Sequence, residues 1–308
     1  MPGLIVMPIN RVPVSTLTLV TGTIVSGYPL NNLKSPRKDL ETRITPATGS
    51  VIIKIVLPAT PSSTGDVDYN IRSLFLSGNF DNATIKLWRH TADVLGSATS
   101  VANLTLDNYC DNPDMLLTFS GVSYRYWWLE VTTGVSPLII NAFNLGDHID
   151  LGYPDRPRGI SFVEQDSGVR LLGGYVYPGR LGSPIIRREY RFQDPNYMTA
   201  AAIYDNTKAF GTNYRAANTL QSAFEQPYQF SLASGATRTR TGLMTPGGSV
   251  PIPFREPDSV GYSTAGRPAF YGYPTLTLSQ DIYRTNTLAA ISFEEVLPRG
   301  ANIKPGTA

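Results

Sequence analysis

A chain of 308 residues with a single cysteine, Cys110, has no intrachain disulfide framework and no cysteine-built metal site open to it. Its formal net charge of +2 is too small to argue for a nucleic-acid or membrane surface. Charged residues make up 16 %, against roughly 25 % in an ordinary soluble protein, while 42 % are hydrophobic and 17 are tyrosine, so partners are expected to cover much of the exterior.

The first residues, MPGLIVMPINRVPV, lack the charged region and continuous apolar core of a signal peptide. No run of about 18 apolar residues follows, so no membrane helix or insertion is expected. A protein made soluble, in a reducing cytoplasm, is the expectation. Residues 1–20 read as one extended strand, with Val14, Leu17 and Leu19 apolar. From Gly22 the composition changes to short segments rich in β-branched and aromatic residues. VIIKIVL (51–57), IRSLFLS (71–77), ATIKLW (83–88), YWWLEVT (126–132) and LIINAF (138–143) are predicted strands. Turn chemistry separates them at 58–65, 78–82, 107–114 and 133–137. Short strands with no helix between them predict an antiparallel β-sandwich or jelly roll over residues 22–157. A turn-rich linker at 153–158 is expected to end it.

Beyond the linker, residues 159–192 predict two or three long strands. In IIRREYRF, Ile186, Tyr190 and Phe192 fall on one face with Arg188, and Arg187, Glu189 and Arg191 fall on the other. Asp194 then offers an N-cap carboxylate and Pro195 a first helical residue, which predicts a helix over 195–210 ended by Gly211. Its buried stripe would carry Ala200, Ile203 and Phe210, with Tyr204 beside it. Residues 212–274 show few strong periods and read as a long loop or arm. The part 235–268 is too long for an ordinary connection and reads as either a mobile loop or an arm that orders against a neighbouring subunit. TLTLS (275–279) and AISFEEVL (290–297) close the chain as strands. The fold class expected is therefore all-β with one capped α-helix.

Chemistry is sparse. No nucleophile elbow, paired-histidine metal motif, phosphate loop or dinucleotide fingerprint occurs, so neither an enzyme nor a cofactor is expected. The two histidines, His90 and His148, read as satisfied structural residues. Asp66, Asp68 and Asn70 imitate the start of a calcium loop, but Ile71 stands where the turn glycine belongs and Ser77 where the bidentate glutamate belongs. Glu294 and Glu295 are neighbours on a strand and point to opposite faces, so they cannot form a facing catalytic pair. Asp107, Asp111 and Asp114 read as a solvated turn. Arg37-Lys38, Arg156 and Arg158 read as basic spots that touch other proteins. On their strand, Tyr126 and Trp128 share one face and Trp127 takes the other. One set should be core or subunit contact, and the other could stack on a sugar ring.

The strand RREYRF, the segment DPNYMTAAAIYDNTKAFG and the closing SFEEVL together resemble the belt module of distal tail and minor tail proteins of long-tailed phages. YPLNNLKSPR (28–37), SYRYWWLEV (123–131) and GDHIDLG (146–152) resemble the galactose-binding-like sandwiches that such proteins carry. The resemblance implies a sandwich (22–157) inserted into a β-barrel-like belt domain made of 1–21 and 158–308. It also implies a structural virion protein of the tail tip or baseplate, closing into a three- or six-fold ring and holding other tail proteins. In such a ring Arg187, Arg188, Arg191, Tyr204, Glu294 and Glu295 would meet the neighbouring belt. The alternative is a carbohydrate-binding module touching host glycans through Tyr126, Trp127 and Trp128.

Overall fold

A computed structural model describes residues 3–35, 37–58, 71–80, 82–105, 114–150, 154–163, 166–170, 176–180, 185–193, 228–231, 237–240, 251–256, 269–280 and 287–295. In chain order the strands are β1 (Ile5–Asn10), β2 (Thr16–Thr21), β3 (Thr23–Ile24), β4 (Thr42–Thr45), β5 (Ser50–Val56), β6 (Ile71–Gly78), β7 (Thr84–His90), β8 (Thr99–Thr105), β9 (Asp114–Val122), β10 (Tyr126–Thr132) and β11 (Leu138–Asp150). They continue as β12 (Asp155–Val163), β13 (Asp166–Arg170), β14 (Val176–Arg180), β15 (Ile185–Gln193), β16 (Tyr228–Ser231), β17 (Thr237–Arg240), β18 (Ile252–Arg255), β19 (Ala269–Gln280) and β20 (Thr287–Glu295). Every pairing among them is antiparallel, so the all-β, antiparallel class read from the sequence is the class observed.

One sheet has the order β2-β5-β10-β7-β8. Strands β2 and β5 alternate strictly, as SVIIKIV does, because one face meets the core and the other faces outward; β10 departs from that pattern at Trp128, which is buried on the outward face. Val51, Ile53 and Ile55 of β5, Ile85 and Leu87 of β7, and Trp127, Leu129 and Val131 of β10 are fully buried. They pack against Ile71, Leu74 and Leu76 of β6 and Ile140, Phe143 and Leu145 of β11 in a second sheet. This is the sandwich. Gly22, at φ +108°, turns the chain from β2 in the first sheet to β3 in the second, and a Cβ there would stand 2.9 Å from Ile44. Only glycine takes that conformation without strain.

The second sheet is longer. One edge of β11 pairs with β6, which pairs in turn with β9; the other edge takes β4 and then β1. Beyond β1 the order continues β18-β19-β20-β15-β12. This sheet rolls back on itself. Tyr271 of β19 stacks on Phe75 of β6 with ring centroids 5.3 Å apart, although β11, β1 and β18 stand between them in hydrogen-bond order. Ile5, Met7, Leu116, Ala142 and Ala269 complete that smaller core. β6 is therefore covered on both faces, which explains why IRSLFLSG is buried almost without alternation.

At the end of β6, a Cβ on Gly78 would lie 2.1 Å from the Ile139 carbonyl oxygen, a backbone atom that cannot swing aside. Gly78→Ala is expected to cost about 1–3 kcal/mol of stability by overpacking, read as a lower denaturant midpoint with an unchanged slope.

Several expectations change. The single strand expected over 1–20 is replaced by two strands in different sheets, Ile5–Asn10 and Thr16–Thr21, because the turn at Val12–Val14 redirects the chain after Asn10. The segment from Asp155 is strand rather than linker, with an irregularity in pairing between Asp155 and Gly159. Part of the expected turn at 107–114 opens β9 at Asp114. Within 212–274 lie β16, β17, β18 and the start of β19, and β18 is a central strand of the long sheet. The helix predicted at 195–210 and the calcium-like segment 66–70 lie outside the described residues.

Candidate functional site

The outward face of the five-stranded sheet carries a row of three aromatic side chains, Trp88, Trp128 and Tyr126. β10 pairs in one continuous register with β5 and β7, so Trp128 stands between Lys54 and Trp88, Glu130 stands opposite Lys86, and Tyr126 stands opposite His90. Trp128 is only 2 % exposed, wedged between those neighbours, and its ring lies 6.5 Å from that of Tyr126 with 23° between the planes. Trp88 and Tyr126 are half-buried and present the remaining surface of the row. The Trp88 indole donates to Glu130 Oε2 at 2.7 Å, which fixes that ring. Lys86 lies 5.9 Å from the Trp88 ring centroid and Arg125 lies 5.5 Å from that of Tyr126. Lys54 is joined to Asp93 at 3.0 Å.

Trp127 points the other way. It is fully buried, its indole donates to the Tyr124 carbonyl at 2.8 Å, and its ring lies 6.2 Å from Phe119. It therefore leaves the set of candidate glycan contacts and belongs to the core. Trp88, which sequence reasoning did not single out, takes its place. Its signal was the alternation of Ile85 and Leu87 with Lys86 and Trp88, and only strand order sets that alternate face beside Tyr126 and Trp128.

A second constellation lies where the long sheet rolls over the sandwich. Lys38 Nζ meets Asp114 Oδ2 at 2.6 Å with both side chains buried, and it also lies 5.5 Å from the Tyr271 ring centroid. Neither residue is the exposed basic spot or solvated turn expected from the sequence, since each supplies the partner that the other's burial requires. Arg188 of β15 pairs with Glu295 of β20 and also reaches Glu256 Oε1 at 3.1 Å, while its guanidinium covers the Phe270 ring at 3.8 Å. Tyr190 donates its hydroxyl to Glu256 Oε1 at 2.7 Å. Burial pushes the Glu295 carboxyl above the ordinary glutamate range, against the opposing pull of Arg188. Burial, reinforced by the charge of Glu256, raises the Tyr190 phenol as well. The described groups here are committed to one another, so the constellation ties strands together.

The remaining expected interface residues divide plainly. Arg187 pairs with Glu294 at 2.8 Å on the exposed face, because the two stand directly opposite in the β15–β20 register. Arg191 pairs with Glu189 of its own strand at 2.7 Å. Glu294 and Glu295 do face opposite ways. Their arginine partners, however, are in the same chain and not in a neighbouring copy. Tyr204 lies outside the described residues.

The histidines also separate. His90 Nδ1 is within hydrogen-bond distance of the Ala92 backbone and Nε2 lies 3.2 Å from Ser97 Oγ. His148 Nδ1 is buried with no hydrogen-bond partner among the described residues, and burial together with the nearby charge of Arg72 lowers its pKa to about 4. It is neutral at physiological pH. Among the described residues no three His, Cys, Asp or Glu side chains converge as a metal site, and no helix is long and apolar enough to cross a membrane.

No family model matches the chain, and no curated protein does. Among solved structures, it is similar to chitosan-binding module 1 from the chitosanase/glucanase of Paenibacillus sp. IK-5, at 12 % identity and a TM-score of 0.35 over 45 % of this chain and 99 % of that one. Module 2 of the same enzyme, in complex with chitotriose, gives 12 % identity and a TM-score of 0.35 over 45 % of this chain and 100 % of that one. The family 32 carbohydrate-binding module of Clostridium perfringens NanJ, in complex with galactose, gives 13 % identity and a TM-score of 0.34 over 45 % and 98 %. Similarity at this level leaves the function of the sandwich to its own side chains.

Proposed function

We propose that the outer face of the five-stranded sheet binds a carbohydrate without turning it over. The observation that carries this reading is the row Trp88–Trp128–Tyr126 on the outward face of the sheet, with Trp88 and Tyr126 half-buried. An aromatic face offers dispersion and quadrupole contact to the C–H side of a sugar ring, and polar groups beside it take up hydroxyls. Trp128 is too covered to be the platform itself. It holds apart and orients Tyr126 and Trp88, which carry the accessible surface. Lys86 and Glu130 supply a donor and an acceptor at one end, so stacking and hydrogen bonding are both available to one ligand.

Titration calorimetry with chitotriose and galactose, followed by a wider glycan array, tests the reading. Trp88→Ala or Tyr126→Ala is expected to lower the affinity of a bound sugar at least about tenfold, the loss of one good contact, while the thermal midpoint changes little. Absence of binding to any sugar, or affinity indifferent to both substitutions, would remove it. Release of reducing sugar by the purified protein would contradict the non-enzymatic part.

The tail-tip ring implied by the phage resemblance, with its virion location and tail partners, has less support. The arginine–glutamate pairs offered for ring closure are formed within one chain, so a ring would have to close through other surfaces. Mass measurement of the purified protein, with negative-stain imaging, tests it: closed species of three or six copies would speak for the ring, a strict monomer against it.

A further inference from the structure

We infer that the carbohydrate is an acidic one, such as a uronic-acid oligosaccharide; this rests on the glycan reading of the same face. Two cations of that face are placed on its aromatic rings and not on its carboxylates. Lys86 stands over Trp88 and Arg125 over Tyr126, one at each end of the row. Lys86 faces Glu130 in register, yet Glu130 accepts the Trp88 indole, and no ion pair joins Lys86 or Arg125 to any carboxylate among the described residues. Among the described residues, Arg125 spends only its Nε on a carbonyl, that of Leu57, at 3.3 Å. Lys54 is different, because Asp93 already engages it.

Cations seated on stacking surfaces suit a ligand that carries charge and a stackable face together. A uronate has both in each unit: a C–H face for the indole or phenol, and a carboxylate at the ring's edge within reach of the ammonium or guanidinium. The rings that seat the two cations, Trp88 and Tyr126, stand two residues apart along the paired strands, roughly 7 Å, so the cations address neighbouring units of an oligomer and not one monosaccharide. A nucleic-acid strand fits less well. Lys54, Lys86 and Arg125 against Asp93 and Glu130 leave too little positive excess to neutralise successive phosphates, and the buried Trp128 leaves no gap in which a base could be sandwiched.

The test is calorimetry on the full chain with trigalacturonate and with neutral galactotriose, at low and high salt. The acidic trisaccharide is expected to bind about tenfold more tightly at low salt, with the preference shrinking as salt rises. In the Lys86→Gln/Arg125→Gln variant, checked for an unchanged thermal midpoint, the ratio of the two affinities should approach one. Equal affinity of the unmodified chain for both sugars would overturn the acidic assignment while leaving a glycan site in place. Failure to bind either sugar, or any sugar of the wider array, would remove both. Tighter binding of a single-stranded oligonucleotide than of trigalacturonate would assign the face to nucleic acid instead.

Discussion

Trp127→Ala is expected to lower stability by about 3–5 kcal/mol, enough to leave much of the chain unfolded at ordinary temperature. Trp127 is among the largest fully buried side chains of the sandwich, and its removal opens a cavity between β10 and the facing sheet. It would also strand the Tyr124 carbonyl, which now accepts the indole N–H at 2.8 Å. Equilibrium unfolding in urea, followed by tryptophan fluorescence and by far-ultraviolet circular dichroism, checks the size. The informative comparison is with Trp88→Ala. Two tryptophans of one sheet, on opposite faces, should separate stability from binding: the core substitution unfolds, the surface one disarms. Loss of stability below about 1 kcal/mol for Trp127→Ala would mean that the facing sheets do not depend on this contact.

Arg188→Met should be nearly as damaging, at about 3–5 kcal/mol, because it leaves the largely buried carboxylates of Glu295 and Glu256 without their shared cation. Arg187→Ala, one residue away on the exposed face, removes a solvated pair and should cost less than about 1 kcal/mol. The pH dependence has a definite sign. Folded Glu295 holds its proton more tightly than unfolded Glu295, since burial raises its carboxyl above the ordinary value of 4.5. Stability from this group is therefore present at acid pH and falls as pH rises from that value through the raised one. Glu295→Gln removes the titration, so its cost relative to the unmodified chain should be larger at acid pH than at neutral pH. Urea midpoints across that range measure this, and the opposite slope would mean that Arg188, and not burial, dominates the carboxyl.

The strands that follow one rule of alternation were legible. VIIKIVL and YWWLEVT announce half-buried strands because one face is wet, and β10 begins and ends where periodicity puts it. The face assignment of Tyr126, Trp127 and Trp128 was equally legible, although which face was core was not. The sequence also separated Glu294 from Glu295 correctly. What stayed hidden depended on long-range partners. PIPFR carries two prolines and reads as loop, yet Ile252, Pro253, Phe254 and Arg255 are all buried because β1 and β19 flank them. Lys38 and Asp114 looked like surface charges since nothing local says that each will bury the other, 76 positions apart. Trp88 entered the candidate site only through the register of β7 with β10. Local patterns report on burial; they are silent about who the neighbour is.

The position of β1 sets an order of events during synthesis. Its residues leave the ribosome before those of either partner: β11, on one edge, is complete only at Asp150, and β18, on the other, only at Arg255. At about 5–20 residues per second, the interval between those two points is roughly 5–20 s. Through that time a chain emerging from the ribosome carries a paired sandwich in which β1 still shows one row of unmet backbone groups. Such an edge is a template for any other extended segment nearby. The late strand closes this vulnerability, so a chain truncated before Ile252 should be the form most prone to stick to its neighbours.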